Sequence, residues 1–119
     1  MKIILQGNPI STNQIYRRHG NIIYMSREGK ELKKTYSWEA LSQRIGEKLT
    51  GDLEVKIKLY FKDKRVRDID NYNKILLDAL TGIIWQDDKQ IQKMTIEKFI
   101  DKENPRIEII SLALGVLTS

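Results

Sequence analysis

With 119 residues, 40% of them hydrophobic, the chain can bury one core and not two, so we expect a single domain over residues 1–119. It has no cysteine and one histidine, His19, which excludes disulfides, thiolate catalysis and zinc sites built from Cys or His, and leaves oxygen ligands for any metal. The net charge of +5 arises within residues 1–51, whereas all eight aspartates lie in residues 52–119. This distribution favours a protein that binds a polyanion near hard metal ions. A basic surface that serves only solubility would have the same net charge.

The first half of the chain predicts two strands, a helix and a third strand. We expect strands at Lys2–Gln6 and Ile22–Met25, separated by an irregular basic segment that contains Gly7, Pro9 and Gly20. Ser26 is a typical N-cap for a helix that extends to about Leu49. In that helix Trp38, Leu41, Ile45 and Leu49 form the stripe expected to face the core. The residues of "LEVKIKLYF" from Leu53 to Phe61 alternate, which predicts a strand with one buried face.

The second half predicts a helix followed by two strands. We expect the helix from about Ile69 to Leu80 and the strands at Lys93–Asp101 and Arg106–Leu114, joined by a turn at "KENP". The fold class is therefore α+β, with a mixed sheet of three to five strands and two main helices packed on one face. Trp85, like Trp38, is expected in the core. The apolar runs are too short to span a bilayer and the N-terminal one is too short for a signal peptide, so we expect a cytoplasmic protein without a membrane segment.

The helix predicted after residue 68 carries the chemistry. On a helical wheel a polar arc lies opposite the apolar side formed by Tyr72, Ile75, Leu76, Ala79 and Leu80. The polar arc contains Asp70, Asn71, Lys74, Asp78 and Thr81. Because the apolar side must face the core, the polar arc is free to face a cleft. Asp68 lies just before this helix, and Asp87 and Asp88 follow it.

Two or three carboxylates that converge from separate elements form the cage that Mg²⁺ or Mn²⁺ prefers. The basic run "KDKRVR" would attract a phosphate, and a metal held by the aspartates would attract it too and lower the pKa of a bound water. Lys74 is placed to stabilise charge in the transition state. The pattern predicts phosphodiester hydrolysis. Taken singly, Asp68 or Asp70 also suits a helix cap, Asp70 and Lys74 an exposed ion pair, and Asp87–Asp88 a solvated turn.

The stretch "RDIDNYNKILLDAL" followed by "GIIWQDD" resembles the RusA-type Holliday junction resolvases, and "GNPISTN" near the start is similar to the opening of many members. The resemblance implies a homodimer that binds four-way DNA junctions and nicks two strands symmetrically with Mg²⁺ or Mn²⁺, without a small-molecule cofactor. A two-fold dimer suits two strands related by pseudo-symmetry.

Carried over by position, the resemblance implies catalytic roles for Asp68, Asp70, Lys74 and Asp88. Asp68, Asp70 and Asp88 would hold the metal, and Asn71, Asp78 and Asp87 would support the site. We expect DNA contacts from Asn13, which matches the family's opening, and from five basic residues. These are Arg17 and Arg18 in a basic and aromatic segment, and Lys64, Arg65 and Arg67 in the run before Asp68.

Three other interpretations fit parts of the sequence. Glu54 and Lys56 match the E-x-K of the restriction-endonuclease fold, but that motif needs an upstream aspartate and residues 1–51 contain none. A non-catalytic junction-binding or DNA-binding module would use the basic surface and leave the carboxylates structural. Such a module would bind without Mg²⁺ and would tolerate Asp70→Asn. A protein-binding adaptor would explain the helix charges and not the aspartates.

Overall fold

A mixed four-stranded sheet forms the centre of the computed structural model, which describes residues 1–115. In chain order the elements are β1 (Lys2–Gln6), α1 (Thr12–Ile15), β2 (Tyr16–His19), β3 (Ile22–Met25), α2 (Arg27–Gln43), β4 (Leu53–Phe61), a 3₁₀ helix (Ile69–Tyr72), α3 (Asn73–Leu80), a second 3₁₀ helix (Asp88–Gln90), β5 (Ile91–Ile100) and β6 (Arg106–Ala113). The predicted α+β class is confirmed.

The main sheet has the strand order β1-β6-β4-β5, and β2 and β3 form a separate two-stranded hairpin. Strands β4 and β5 are parallel, whereas β6 is antiparallel to both β1 and β4. A parallel pair needs a crossover that returns the chain to the same end of the sheet. Helix α3 lies within this crossover. The crossover starts after Phe61, the last residue of β4, and ends at Ile91, which pairs with Leu53 at the start of β4.

The core lies on one face of the sheet. Along β4 every second residue is buried, as the alternation predicted, and these residues are Leu53, Val55, Ile57, Leu59 and Phe61. Helix α3 packs its apolar side inward, since Tyr72, Ile75, Leu76, Ala79 and Leu80 are all buried. The predicted wheel is confirmed, and its polar arc is left at the surface.

Helix α2 is shorter than predicted. It ends at Gln43 instead of about Leu49, because Arg44 has an extended backbone and Gly46 takes a φ of 75°, which reverses the chain. Leu49 therefore lies outside the helix. Its N–H donates to Ile84 O at 2.8 Å, and its side chain packs against the core from a loop.

The face that α2 buries was also predicted incorrectly. The expected apolar stripe is largely in solvent, with Trp38 70%, Leu41 42% and Ile45 83% exposed. Tyr36 and Ala40 are buried instead. Trp85, by contrast, is fully buried as expected.

The physical reason is that α2 covers the edge strand β1 with polar side chains. Gln43 accepts from Ile4 N and donates to Ile4 O, both at 2.8 Å, and Glu39 accepts from Gln6 N at 2.9 Å. An open strand edge presents unpaired N–H and C=O groups that a covering element must satisfy. The inward face of α2 is therefore partly polar, and the helix leaves its apolar residues outside.

Three smaller differences concern element boundaries. The segment predicted as irregular contains α1 and β2, and β2 pairs with β3 in the register Tyr16↔Met25 to His19↔Ile22. The helix predicted at 69–80 begins with a 3₁₀ turn and becomes α-helical at Asn73. β5 and β6 each lie within two residues of their predicted bounds. Among the described residues, no helix is both long and apolar enough to cross a membrane.

Candidate active site

The loop from β4 to the first 3₁₀ helix is held from inside by Arg67. Its guanidinium donates to Asp63 Oδ1 at 2.7 Å and lies 4.2 Å from the centre of the Phe61 ring, and only 12% of its side chain is exposed. The hydrogen bond from Arg67 keeps the pKa of Asp63 below its usual range. Of the three basic residues predicted here as DNA contacts, Lys64 and Arg65 present their charges to solvent, whereas Arg67 shapes the loop.

Asp68 and Asp70 follow this loop directly, and both are exposed. Asp68 occupies the N-cap position of the 3₁₀ helix, but its carboxylate accepts no capping hydrogen bond. Within residues 1–115 neither carboxylate has a hydrogen bond or ion pair to a protein group. The capping role that suits these residue types is therefore not used, and both carboxylates are available to a ligand. Asn71 is half-buried and closes the turn through its backbone N–H, which donates to Asp68 O at 3.1 Å.

Lys74 lies on the first turn of α3 and is held by two neighbours. Its Nζ donates to Asp78 Oδ2 at 3.3 Å and lies 4.9 Å from the centre of the Tyr16 ring. Tyr16 Oη donates to the same Asp78 oxygen. Burial and the Asp78 carboxylate raise the pKa of Tyr16 above its usual range, so the hydroxyl keeps its proton and acts as a donor. Lys74 thus contacts both Asp78 and Tyr16 on the polar side of α3, while 56% of its side chain stays exposed.

The β2–β3 hairpin, whose Tyr16 contacts Asp78 of α3, carries two basic residues on opposite faces. Since directly paired residues share a face of a hairpin and successive residues alternate, Arg18 lies on the same face as Tyr16, and Arg17 lies on the other face with Tyr24. Both arginines are exposed. Asn13, also exposed, precedes the hairpin in α1.

Asp87 and Asp88 have different environments. Asp87 caps the second 3₁₀ helix, since its Oδ1 accepts from Lys89 N at 2.9 Å and its own N–H donates to the Gln90 side chain at 3.0 Å. Gln90 ties this helix to the loop before β4 by donating to Leu49 O at 3.1 Å. Asp88 is exposed, and its carboxylate has no hydrogen bond to another group of residues 1–115.

The chain attaches the two acidic stretches at opposite ends of β4. Asp68 and Asp70 belong to the segment that follows Phe61, the last residue of β4. Asp88 lies just before β5, whose first residue Ile91 pairs with Leu53 at the start of β4. Residues 1–115 contain no group of three or more acidic or histidine side chains close enough to hold one metal ion. Asp68 and Asp70 nevertheless suit a hard divalent ion, because Mg²⁺ is commonly held by one or two carboxylates while water and phosphate oxygens complete its shell.

A basic hollow of about 590 Å³ opens beside the loop that Arg67 holds. Its polar lining comes from the segment between β1 and β2, from the loop after β4 and from the first 3₁₀ helix, and consists of Asn8, Ser11, Gln14, Lys62, Arg65, Arg67 and Tyr72. Three of these residues are basic and none is acidic. Asn8 joins the two walls, because its side-chain oxygen accepts from Lys62 N at 2.9 Å. A phosphate group fits the charge of this hollow.

Sequence reasoning missed Tyr16 and Asn8 as parts of the site. Four-residue spacing suggested an ion pair between Asp70 and Lys74, but the structure pairs Lys74 with Asp78 instead. No spacing rule connects Tyr16 to Asp78, which lies 62 positions away. The only signal for Tyr16 was its place in a segment rich in basic and aromatic residues. Asn8 belongs to the "GNPISTN" stretch, whose function the sequence left open.

Residues 6–110 match the family described as endodeoxyribonuclease RusA. Curated relatives include the crossover junction endodeoxyribonucleases RusA of Escherichia coli (strain K12) and of Enterobacteria phage 82, each 27% identical over 108 residues, which is 90% of both chains. A similar protein from Escherichia coli O139:H28 is 25% identical over the same length. The matched region covers both 3₁₀ helices, α3 and the hairpin. The chain therefore belongs to the RusA family of endodeoxyribonucleases, as the motif between Arg67 and Gln90 predicted.

Proposed function

We propose that this protein is a divalent-metal-dependent endonuclease that resolves four-way DNA junctions, acting as a homodimer that makes paired, symmetric cuts. The observation that carries the proposal is the exposed pair Asp68 and Asp70, free of protein partners, beside a lysine that Asp78 and Tyr16 hold in place. Membership of the RusA family and relatives named as crossover junction endodeoxyribonucleases support the same function.

In this proposal Asp68, Asp70 and Asp88 are the metal-binding carboxylates, with Mg²⁺ as the metal and Mn²⁺ as a substitute. A bound divalent ion supplies a Lewis acid for the phosphate and makes a bound water more acidic. Asp68 and Asp70 need no rearrangement to accept it, because no protein group occupies them. Asp88 is exposed and unpaired among residues 1–115, but it lies near the other end of β4, so its role as the third carboxylate requires that it approach Asp68 and Asp70 when metal and DNA bind.

Lys74 stabilises negative charge on the scissile phosphate in the transition state. Asp78 and Tyr16 position its ammonium group, Asn71 closes the turn that carries both aspartates, and Asp87 holds the 3₁₀ helix that carries Asp88. A group held by neighbours reaches the transition state with less loss of conformational freedom than a free lysine.

DNA contacts come from the basic residues around this site. Arg17 and Arg18 on the hairpin, Asn13 in α1 and Lys64 and Arg65 in the loop after β4 are the proposed phosphate contacts. Arg67 contributes to the positive charge of the basic hollow while it holds the loop. Because a four-way junction is pseudo-symmetric, two copies related by a two-fold axis address two strands at once.

The experiment is cleavage of an end-labelled four-way junction and a matched linear duplex by the purified protein, with and without Mg²⁺. We expect paired nicks in the junction only, and only with metal. Asp70→Asn should reduce the cleavage rate by at least about 100-fold while junction binding persists, because it removes a ligand and not a DNA contact. Asp68→Asn, Asp88→Asn and Lys74→Ala should behave in the same way.

Each part of the proposal has its own contrary outcome. Tight junction binding without product in either metal would identify a non-catalytic binding module. Full activity of one of the four variants would remove that residue from the site. A monomer by sedimentation at micromolar concentration, with active nicking, would contradict paired cutting by a homodimer.

A further inference from the structure

Trp38 lines an apolar groove that the fold leaves open. The groove has a volume of about 660 Å³ and lies between β3, α2 and the turn after α3. Its apolar walls are Met25, Trp38, Leu41 and Ile83, and Trp38 is 70% exposed. A large aromatic surface in solvent is unfavourable for an isolated protein, so this side chain is free to stack on a ligand.

The rim of the groove is basic. Lys30, Lys33 and Lys34 line it on the face of α2 that carries Trp38, and no acidic residue is among the lining residues. The glutamates of α2 point elsewhere, since Glu39 accepts from Gln6 N in β1. Another hollow, on a different side of α2, is lined by Glu28 and Glu31. The groove therefore combines the flat aromatic surface of Trp38 with the positive charges of three lysines.

This charge decides between two possible occupants. A second copy of the chain, related by a two-fold axis, would bring its own lysines toward these lysines, which like charges disfavour. A nucleic acid strand instead supplies phosphates for the lysines and a base for the indole ring. Proteins that bind single strands combine the same two features, a basic groove and aromatic platforms on which bases stack.

The groove also adjoins the helix that carries Lys74. Ser37, which lines it, donates to Ala79 O at 2.9 Å, so the groove adjoins the last turn of α3. Lys74 lies on the first turn of the same helix. Ala79 lies five positions after Lys74 in this helix, which is roughly 7.5 Å along the axis.

We infer that Trp38 stacks on an unpaired base of the DNA substrate, with Lys33 and Lys34 on the neighbouring phosphates. The inference rests on the proposed function for its ligand, a DNA strand opened close to the crossover. The exposed face of α2 would then contact DNA in addition to the proposed metal-binding residues.

Tryptophan fluorescence tests this directly, because the chain has two tryptophans and only Trp38 is exposed. The full chain is titrated with a single-stranded oligothymidine and with a four-way junction in EDTA, so that no cleavage occurs. We expect quenching of the emission and protection of Trp38 from acrylamide by both ligands. In Trp38→Phe only the buried Trp85 remains, and the signal should not respond to DNA.

Affinity supplies the second measurement. Trp38→Leu keeps an apolar side chain but cannot stack, and should weaken oligothymidine binding by about 5- to 150-fold, with Trp38→Phe between it and the wild type. Lys33→Ala with Lys34→Ala should flatten the dependence of log K on log salt by about 1.4. Because all three side chains lie at the surface, these variants should fold normally.

Several results would overturn the inference. Trp38 fully accessible to acrylamide in the DNA complex, or Trp38→Leu binding as tightly as wild type, would exclude stacking. Shielding of Trp38 that depends on protein concentration without DNA, together with a lower sedimentation mass of Trp38→Leu, would make the groove an interface between copies. Failure to cleave junctions, with Trp38 protected by DNA, would reject the proposed nuclease and leave the stacking contact standing.

Discussion

At the scale of single residues, the availability of Lys74 depends on how Asp78 is shared. The Asp78 carboxylate accepts from both Lys74 and Tyr16, and the Lys74 ammonium lies over the Tyr16 ring. A carboxylate that is satisfied by a tyrosine hydroxyl holds a lysine less tightly than one that has the lysine as its sole partner. If Lys74 acts on a phosphate as proposed, the Tyr16 hydroxyl should therefore limit how strongly Asp78 retains it.

Tyr16→Phe tests this control, because phenylalanine keeps the ring and removes the hydroxyl. We expect the Lys74–Asp78 pair to tighten and the rate constant of junction cleavage to fall about tenfold, equivalent to about 1.4 kcal/mol. The dissociation constant for the junction should not change. Single-turnover cleavage and a gel-shift titration measure the two quantities.

The double variant Tyr16→Phe with Asp78→Asn separates positioning from simple loss of structure. In the double variant no carboxylate is left to retain Lys74. Its rate constant of junction cleavage should therefore exceed the value expected when the free-energy effects of the two single variants are added. Strictly additive losses would mean that Tyr16 acts independently of Asp78. Four-residue spacing suggested a pair of Lys74 with Asp70, whereas in the folded chain Lys74 pairs with Asp78, to which β2 brings Tyr16.

At the scale of elements, α2 shows why apolar periodicity alone misplaced a helix face. Trp38, Leu41 and Ile45 recur at helical spacing, but the side toward β1 uses Glu39 and Gln43 to satisfy the strand edge. The periodicity of apolar residues carries no information about the edge strand β1, which lies beside α2 in the fold. The alternating strand β4 and the apolar side of α3 were predicted correctly because each packs against the core without such polar contacts.

The first turn of α2 packs closely on α1 at Gly29. A Cβ at this position would lie 2.5 Å from Ile15 Cγ2 and 3.1 Å from Ile15 O. In an exposed helix, alanine would be more stable than glycine by about 1 kcal/mol. Here we expect overpacking to dominate, so that Gly29→Ala lowers the free energy of unfolding by about 1–3 kcal/mol.

Urea unfolding measures this change, and Thr35→Ala on the exposed side of α2 is the matched control. The control should stay within about 0.5 kcal/mol of the wild type. A Gly29→Ala protein as stable as the wild type would show that Ile15 can move away at little cost.

The start of β6 carries an acid-sensitive network around Arg106. The guanidinium donates to Asp101 and to Glu108, both at 2.7 Å. The hydrogen bond from Arg106 lowers the pKa of Asp101, and although burial raises the pKa of Glu108, hydrogen bonds from Arg106 and Lys2 lower it overall. A carboxyl with a lowered pKa in the folded state stabilises the protein above its unfolded pKa and loses that contribution as the pH falls through the folded value.

Stability should therefore decrease as the pH falls below about 4, near the ordinary pKa of these carboxyls. Arg106→Gln should make the decrease shallower, since it removes the donor that both carboxylates share. Arg27→Gln removes the same charge from an exposed pair with Glu31 and should leave the steepness unchanged. Urea midpoints between pH 3 and pH 6 give the comparison, and equal steepness in all three proteins would reject the role of Arg106.

At the scale of the whole molecule, the fold places part of the positive charge of residues 1–51 on the β2–β3 hairpin. Residues 1–51 hold the net +5, and the β2–β3 hairpin carries two of these charges apart from the main sheet. The sequence predicted the basic segment but not the hairpin, because its strands are four residues long and its apolar residues Ile22 and Ile23 are exposed. Arg18 shares a hairpin face with Tyr16, which connects the proposed DNA surface to the Lys74 site.

The salt dependence of junction binding measures this connection. Each phosphate contact contributes about 0.9 to the slope of log K against log salt on duplex DNA, so Arg17→Ala with Arg18→Ala should flatten the slope by about 1.8. Lys56→Ala with Lys58→Ala removes the same charge from the sheet face opposite the helices and should leave the slope nearly unchanged. Equal flattening in both double variants would mean that net charge, and not contact by the hairpin, attracts the DNA. An unchanged slope in the arginine variant alone would remove the hairpin from the DNA surface and leave Lys64 and Arg65 as the phosphate contacts.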